Sequence, residues 1–153
     1  MDTNAVVDQA ALRRMERAAK DTFWDYLGCQ IESLDTEKAV VSFDIQPHHL
    51  NLIGILHGGV HASVIDSTMG LIVMLARPES SVVTINLNMN YVAPTKQGKV
   101  LVTANIIHST RKLITAEAYA RQETGELLAF GTGTFRVLDK AIPEKQDKGD
   151  SRG

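Results

Sequence analysis

The sequence predicts an α+β fold in which one antiparallel sheet packs against a single long helix. Three observations lead to this prediction. An apolar segment of helical length lies at residues 59–76, four segments with strand-like patterns follow it, and two more precede it. Strands on both sides of one long helix in the chain, joined in places by short turns, favour one antiparallel sheet that carries the helix on one face.

Length and composition limit the function classes that need to be considered. The chain has 153 residues, of which 44% are hydrophobic and 22% charged, which is typical of one globular domain with a sizeable core. A formal net charge of −2 favours no nucleic-acid partner. The N-terminus has no apolar signal core, the long apolar segment contains Asp66, and the only cysteine is Cys29. We therefore expect a cytoplasmic protein with no membrane span and no internal disulfide.

The part of the chain before the long helix predicts a helix and two strands. Ala11, Met15 and Ala18 recur at helical spacing with charged residues between them, the pattern of an amphipathic helix. Gly28 can end the short FWDYLG stretch that follows. The predicted elements are a helix at 8–21, strands at 29–34 and 38–45 with a turn at 35–37, and a loop at 46–59 that is rich in glycine and contains a proline.

The part after the helix predicts strands up to residue 138. Between Val82 and Val92 apolar and polar residues alternate, so regular strand geometry predicts two faces. One face would carry Ile85, Leu87, Met89 and Tyr91, and the other Thr84, Asn86, Asn88 and Asn90. Further strands are predicted at 98–109, 113–122 and 127–138, with turns at 110–112 and 123–126, and residues 139–153 are expected to be a disordered tail.

Asp66 is the most informative residue of the long helix. It is the only formally charged residue between Gly58 and Ala76, and such a helix, apolar nearly all round, is expected to be buried. An aspartate in this setting is seldom fully buried unless it is paired or functional. Two interpretations stay open: a hydrogen bond to a nearby hydroxyl such as Ser63 or Ser67, or a carboxylate held for general-base or nucleophilic work.

The helix start predicts a site for an anion or an oxyanion. His57, Gly58 and Gly59 lead into the helix, whose first turn has unpaired N–H groups and a partial positive charge. Glycines here allow a ligand to approach the backbone, although a tight turn would also need them. Gly58 and Asp66 are separated by eight positions, or about 12 Å along the axis. Gly58 and Asp66 of one helix could therefore hardly act on the same substrate carbonyl. In a dimer with two antiparallel copies of the helix, Gly58 of one copy and Asp66 of the other could.

These residues together resemble a known family. Asn51, the LHGG sequence at 56–59, Asp66 and TINLNMNYVAP at 84–94 resemble the hotdog-fold acyl-CoA thioesterases of the PaaI-like group. The resemblance extends from about Trp24 to Leu138. It implies a curved antiparallel sheet wrapped around one long central helix. It also implies three segments: a helical N-terminal segment at 1–22, the hotdog thioesterase domain at 23–138, and the tail at 139–153.

The resemblance also implies a role for each matched residue. Asn51 and His57 would organise the thioester end of the substrate, and the Gly58 amide would polarise its carbonyl. Asp66 from the neighbouring subunit would activate water or attack directly, and Thr84 would help to hold that water. The family implies a homodimer, often paired again into a homotetramer. The reaction needs no metal or other cofactor, because coenzyme A is part of the substrate and product.

Weaker signals concern substrate binding and rival functions. Arg111 and Lys112 at a strand turn could bind coenzyme A phosphates or simply be solvated, and Gly59 would lie against the substrate. His57 and His61 have the spacing of a zinc pair, but the glutamate of the HExxH pattern is absent, so no metal is expected. The alternatives are an acyl-thioester dehydratase or hydratase with His57 as base, and a non-catalytic acyl-CoA binding protein.

Overall fold

The computed structural model describes residues 9–140 and residue 143. Within these residues all six strands form one antiparallel sheet in the order β1-β2-β4-β5-β6-β3. The elements are α1 (Gln9–Ala19), α2 (Phe23–Leu27), β1 (Gln30–Leu34), β2 (Ala39–Asp44), a 3-10 turn (Pro47–His49), α3 (Gly58–Ala76), β3 (Val82–Tyr91), β4 (Lys99–Ser109), β5 (Leu113–Gln122) and β6 (Leu127–Val137). The helix α3 packs against strands β2 to β6, which confirms the predicted α+β fold.

Several predicted boundaries shift. The first helix ends at Ala19 rather than residue 21, and after a turn the residues Phe23–Leu27 form the short helix α2. Gly28 closes α2 as predicted, in the left-handed conformation that favours glycine (φ 72°). The predicted loop at 46–59 contains the 3-10 turn and ends two residues early, because Gly58 and Gly59 already belong to α3. Residues 1–8 and nearly all of the predicted tail lie outside the described residues.

The core forms where α3 meets the sheet. Nine of its nineteen residues are buried, and small residues on the facing strands allow the close approach. A Cβ atom added at Gly133 of β6 would lie 2.8 Å from Met69 Cε on the helix. By length and apolar composition alone α3 could also cross a membrane, but buried core helices share these properties, and here the buried residues pack against the sheet.

A β-bulge in β3 overturns one sequence prediction. Thr84 pairs with Phe135 and Asn86 pairs with Thr134, so Ile85 is an extra residue between two consecutive positions of β6. The side chain of Thr84 consequently faces α3, on the same side as that of Leu87. The prediction that Thr84 and Leu87 lie on opposite faces is wrong, because regular alternation holds only without a bulge.

Candidate active site

The N-terminus of α3 presents one unpaired backbone donor. His57 precedes the helix, and its Nδ1 accepts a hydrogen bond from the Gly59 N–H at 2.8 Å. The Val60 N–H donates to the His57 carbonyl at 2.9 Å. Among the residues that the structure describes, none accepts from the Gly58 N–H. This amide therefore combines an unused donor with the positive end of the helix dipole, as an oxyanion site requires.

Tyr91 holds the first peptide of this helix. Its hydroxyl donates to the Gly58 carbonyl at 3.0 Å. A Cβ atom at Gly58 would lie only 3.2 Å from two carbons of the Tyr91 ring, so glycine is what allows this contact. The sequence motif included Tyr91 without giving it a role. Its position at the end of the strand in the Tyr-x-x-Pro motif was the signal that could have suggested one.

Asn51 shapes the loop that leads into the helix. Its Oδ1 accepts from the N–H groups of Ile53 at 3.1 Å and Ile55 at 3.2 Å, the arrangement of an Asx turn. Its backbone carbonyl accepts from the Gly54 N–H at 3.0 Å. Within one chain, the geometry therefore gives Asn51 a structural task just before His57.

Asp66 is bound to Thr84 rather than to a serine of its own helix. Thr84 Oγ1 donates to Asp66 Oδ1 at 2.8 Å, whereas Ser63 bonds to the Gly59 carbonyl at 2.6 Å. Among the described residues, no group donates to Asp66 Oδ2, and the carboxylate is half-buried. Thr84 thus fixes one oxygen, and the other can accept a further hydrogen bond. The family resemblance implies that Thr84 helps to hold the water, whereas in the structure Thr84 bonds directly to the carboxylate.

Gly58 and Asp66 do not meet within one chain. They lie eight residues apart on the same unbroken helix, which corresponds to about 12 Å along its axis. A carbonyl oxygen must lie about 3 Å from its donor, and a base must reach the same carbon directly or through one water. One chain therefore contains both the Gly58 N–H and the Asp66 carboxylate, but they are too far apart to act on the same carbonyl group.

Two further histidines, His49 and His61, are buried, and so is the cysteine, Cys29. Burial lowers the pKa of His61 to about 4, and burial followed by the charge of His48 lowers the pKa of His49, so both are neutral at pH 7. Burial raises the pKa of the Cys29 thiol to about 12, which makes a nucleophilic thiolate unfavourable. Within the described ranges, no three His, Cys, Asp or Glu side chains are grouped as metal ligands.

Arg111 and Lys112 lie at the other end of the helix. They occupy the exposed turn between β4 and β5. Arg77, which follows the last residue of α3, ties this turn to the helix by donating to Ser109 Oγ at 2.9 Å and to the Thr110 carbonyl at 3.1 Å. Within one chain, the two basic side chains therefore lie at the opposite end of α3 from Gly58.

A cleft of about 1430 Å³ opens beside Asp66 and Thr84. It follows α3 from Asp66 past Gly70 to Met74, and α1 lies across from that stretch of helix. The cleft is the candidate substrate site because the Asp66–Thr84 pair forms part of its wall.

Comparisons with known proteins show which family this chain resembles. Residues 53–129 match the family model of the thioesterase superfamily. The chain is 30% identical to acyl-coenzyme A thioesterase 13 of Mus musculus over 100 residues, 64% of this chain and 71% of that protein. It is 29% identical to the 1,4-dihydroxy-2-naphthoyl-CoA hydrolase of Listeria monocytogenes over 120 residues, 74% and 94% of the two chains.

A solved structure supports the fold independently. The crystal structure of a thioesterase from Haemophilus influenzae superimposes with a TM-score of 0.80 at 20% identity, covering 88% of this chain and 94% of that one. At this identity the likeness concerns the fold, in which one long helix packs on an antiparallel sheet. The family match spans half of the chain and includes the start of α3, Asp66 and Thr84. The chain therefore belongs to the thioesterase superfamily and is a thioester hydrolase with the hotdog fold.

Proposed function

We propose that this protein is an acyl-CoA thioesterase that works as a homodimer with two shared active sites. The observation that carries the proposal is the Asp66–Thr84 pair, a carboxylate with one oxygen fixed at 2.8 Å and the other unpartnered among the described residues. The match to relatives named as acyl-CoA hydrolases supports a coenzyme A thioester as the substrate.

The proposed reaction is hydrolysis through a tetrahedral intermediate. Asp66 accepts a proton from a water molecule whose oxygen attacks the thioester carbonyl carbon. The carbonyl oxygen becomes negatively charged and accepts a hydrogen bond from the Gly58 N–H at the start of α3. When the intermediate collapses, the carbon–sulfur bond breaks and coenzyme A leaves as a thiolate. The thiolate takes up the proton held by Asp66, which restores the carboxylate, and the carboxylic acid remains. No step needs a cofactor.

The shared site follows from the separation of Gly58 and Asp66. β3 lies at an edge of the sheet and has a second strand on only one side among the described residues. Near this edge, Ile85 is 55% exposed and Val92 is 54% exposed, so apolar surface is available there to a second copy of the chain. Antiparallel pairing of β3 with its copy would set two α3 helices side by side in opposite directions. Gly58 of one protomer would then approach Asp66 of the other.

Other predicted site residues take supporting roles in this proposal. His57 and Asn51 shape the approach to Gly58, and Gly59 leaves room for the His57 ring, because a Cβ atom there would lie 2.9 Å from His57 Nδ1. Arg111 and Lys112 lie at the C-terminal end of α3. In the antiparallel dimer this end approaches the N-terminal end of the partner's helix, so the two side chains could bind the phosphates of coenzyme A. A tetramer formed by two such dimers is part of the proposal.

Replacing the carboxylate tests the mechanism. In Asp66→Asn, thiol release from an acyl-CoA should fall by about 100-fold or more, the usual contribution of a general base. Calorimetric binding of the same acyl-CoA should persist, because the amide has nearly the same shape. Asp44→Asn, at an exposed position on β2, is the matched control and should retain full activity. Unchanged hydrolysis in a folded Asp66→Asn protein would contradict the proposal.

The geometry at His57 argues against the alternative hydratase. His57 Nδ1 already accepts the Gly59 N–H, so the proton of the neutral ring is on Nε2. Neither nitrogen then offers a free lone pair to a substrate proton. If the protein were a hydratase, it would release little thiol from an acyl-CoA, and His57→Ala would abolish hydration of an enoyl-CoA. We expect neither result.

A further inference from the structure

We propose that the cleft between α1 and α3 is the acyl subsite, and that Gly70 sets the length of the acyl group it accepts. This inference rests on the proposed function, because it concerns the substrate of the same site. The acyl class it points to is a medium-length apolar chain that starts at Asp66 and follows α3 towards Met74.

The position of the cleft relative to the reacting atoms is the first argument. Asp66, Gly70 and Met74 are spaced four residues apart and all line the cleft, so they form one row along α3. From Asp66 to Met74 the row is about 12 Å long. A thioester whose carbonyl lies at Asp66 can place its acyl chain along this row, while its sulfur points away from it.

The character of the walls is the second argument. The apolar residues of α1 are only partly covered: none of its residues is buried, although Ala11 and Met15 pack against the edge of the core and line the cleft. Trp24 and Ile31 add half-buried apolar surface. An apolar chain in the cleft would complete the burial of these side chains, which favours binding in proportion to the area removed from water.

The rim of the cleft suggests a rival occupant. Arg13, Arg14 and Arg17 of α1 border the cleft and are exposed, so they could attract the phosphates of coenzyme A. These guanidinium groups belong to the polar side of an amphipathic helix, whereas the wall along α3 is apolar beyond Asp66 and Ser67, from Gly70 to Leu75. We therefore assign the cleft to the acyl group and make binding of the coenzyme there an outcome of the test.

Gly70 is the position at which the subsite can be narrowed. A Cβ atom there would meet only Phe135 Cε1, at an ordinary 3.8 Å, so side chains can be added without a backbone clash. Alanine in place of glycine favours a helix. The variants Gly70→Ala, Gly70→Val and Gly70→Leu form a series of increasing side-chain size that should fold, which thermal unfolding would verify.

The test measures hydrolysis of acetyl-, hexanoyl- and decanoyl-CoA by the wild type and the three variants. We expect kcat/KM for decanoyl-CoA to fall along the series, by at least about tenfold in Gly70→Leu, since methylene-sized changes in an apolar pocket discriminate by that much or more. Hydrolysis of acetyl-CoA should stay within about twofold in the same variants, because its methyl group ends before Gly70 is reached.

Two results would overturn the assignment while leaving the proposed function intact. One is an equal loss for all three substrates, which would place the coenzyme in the cleft. The other is an unchanged preference in Gly70→Leu. If the wild type hydrolyses none of the substrates, the proposed function fails, and calorimetry in the Asp66→Asn background still tests the subsite. The affinity for decanoyl-CoA must then fall in Gly70→Leu and that for acetyl-CoA must not.

Discussion

The hydroxyl group of Tyr91 offers a sharp test of how the start of α3 is held for catalysis. Tyr91→Phe removes the donor that lies 3.0 Å from the Gly58 carbonyl. It keeps the ring, which packs beside Gly58 and forms an edge contact with His61 at a centroid distance of 6.0 Å. The substitution therefore removes one hydrogen bond and little else.

The expected effects on stability and activity differ in size. A net hydrogen bond contributes about 0.5–1.5 kcal/mol. Because Tyr91 is 57% exposed, water can replace the lost partner, so we expect the lower limit. In a chain of this size that lowers Tm by about 1–2 °C. An oxyanion donor contributes about 2.7–4 kcal/mol to lowering the barrier. Loosening the Gly58 peptide should forfeit about 1 kcal/mol of this, which lowers kcat about fivefold.

The assay is thiol release from an acyl-CoA, with kcat and KM determined separately. The loss should appear in kcat, because the Gly58 amide acts on charge that develops only in the transition state. Tyr26→Phe is the control, since Tyr26 is 62% exposed and among the described residues its hydroxyl has no hydrogen-bond partner. An unchanged kcat in Tyr91→Phe, or an equal loss in Tyr26→Phe, would refute the reasoning.

Two further predictions concern Asp66 and His61. Thr84→Val keeps the shape of the side chain but removes the hydrogen bond to Asp66. Since hydrogen bonds to charged groups contribute about 1.5–3 kcal/mol, kcat should fall about 10- to 100-fold. The control variant Thr132→Val, on the outer face of β6, should have no effect on kcat. Burial lowers the pKa of His61 to about 4, below its value in the unfolded chain. The free energy of unfolding is therefore highest above about pH 6.5 and declines as the pH falls, because the unfolded chain takes up the proton first. Urea unfolding should show a loss of about 2–3 kcal/mol between pH 7 and 4.5 that is absent in His61→Leu, and equal pH dependence in the two proteins would argue against it.

The long helix shows how much of the fold local sequence can predict. Its apolar character between Gly58 and Ala76 is a property of consecutive residues, so its length and burial follow from composition and periodicity. Asp66 stands out for the same reason. The strands flanked by short turns were also recognisable, because a hairpin needs only the residues between its strands.

What local sequence could not predict depends on distant partners. The bulge at Ile85 exists because β3 pairs with β6, some fifty residues later in the chain, and nothing within β3 interrupts its alternation. The bond between Thr84 and Asp66 therefore could not be derived from the pattern. The contact of Tyr91 with Gly58 and the cleft below α1 likewise join segments that are far apart in sequence.

The two edges of the sheet differ in how well they resist unwanted pairing. The outer strand β1 is five residues long and contains Glu32, whereas β3 runs for ten residues without a charge or a proline. Natural proteins usually protect such a long edge, because its open backbone groups can template aggregation. In the proposed dimer, pairing of the two β3 strands supplies that protection. Solubility and catalysis would then depend on the same contact, so variants that weaken it should precipitate rather than persist as inactive monomers.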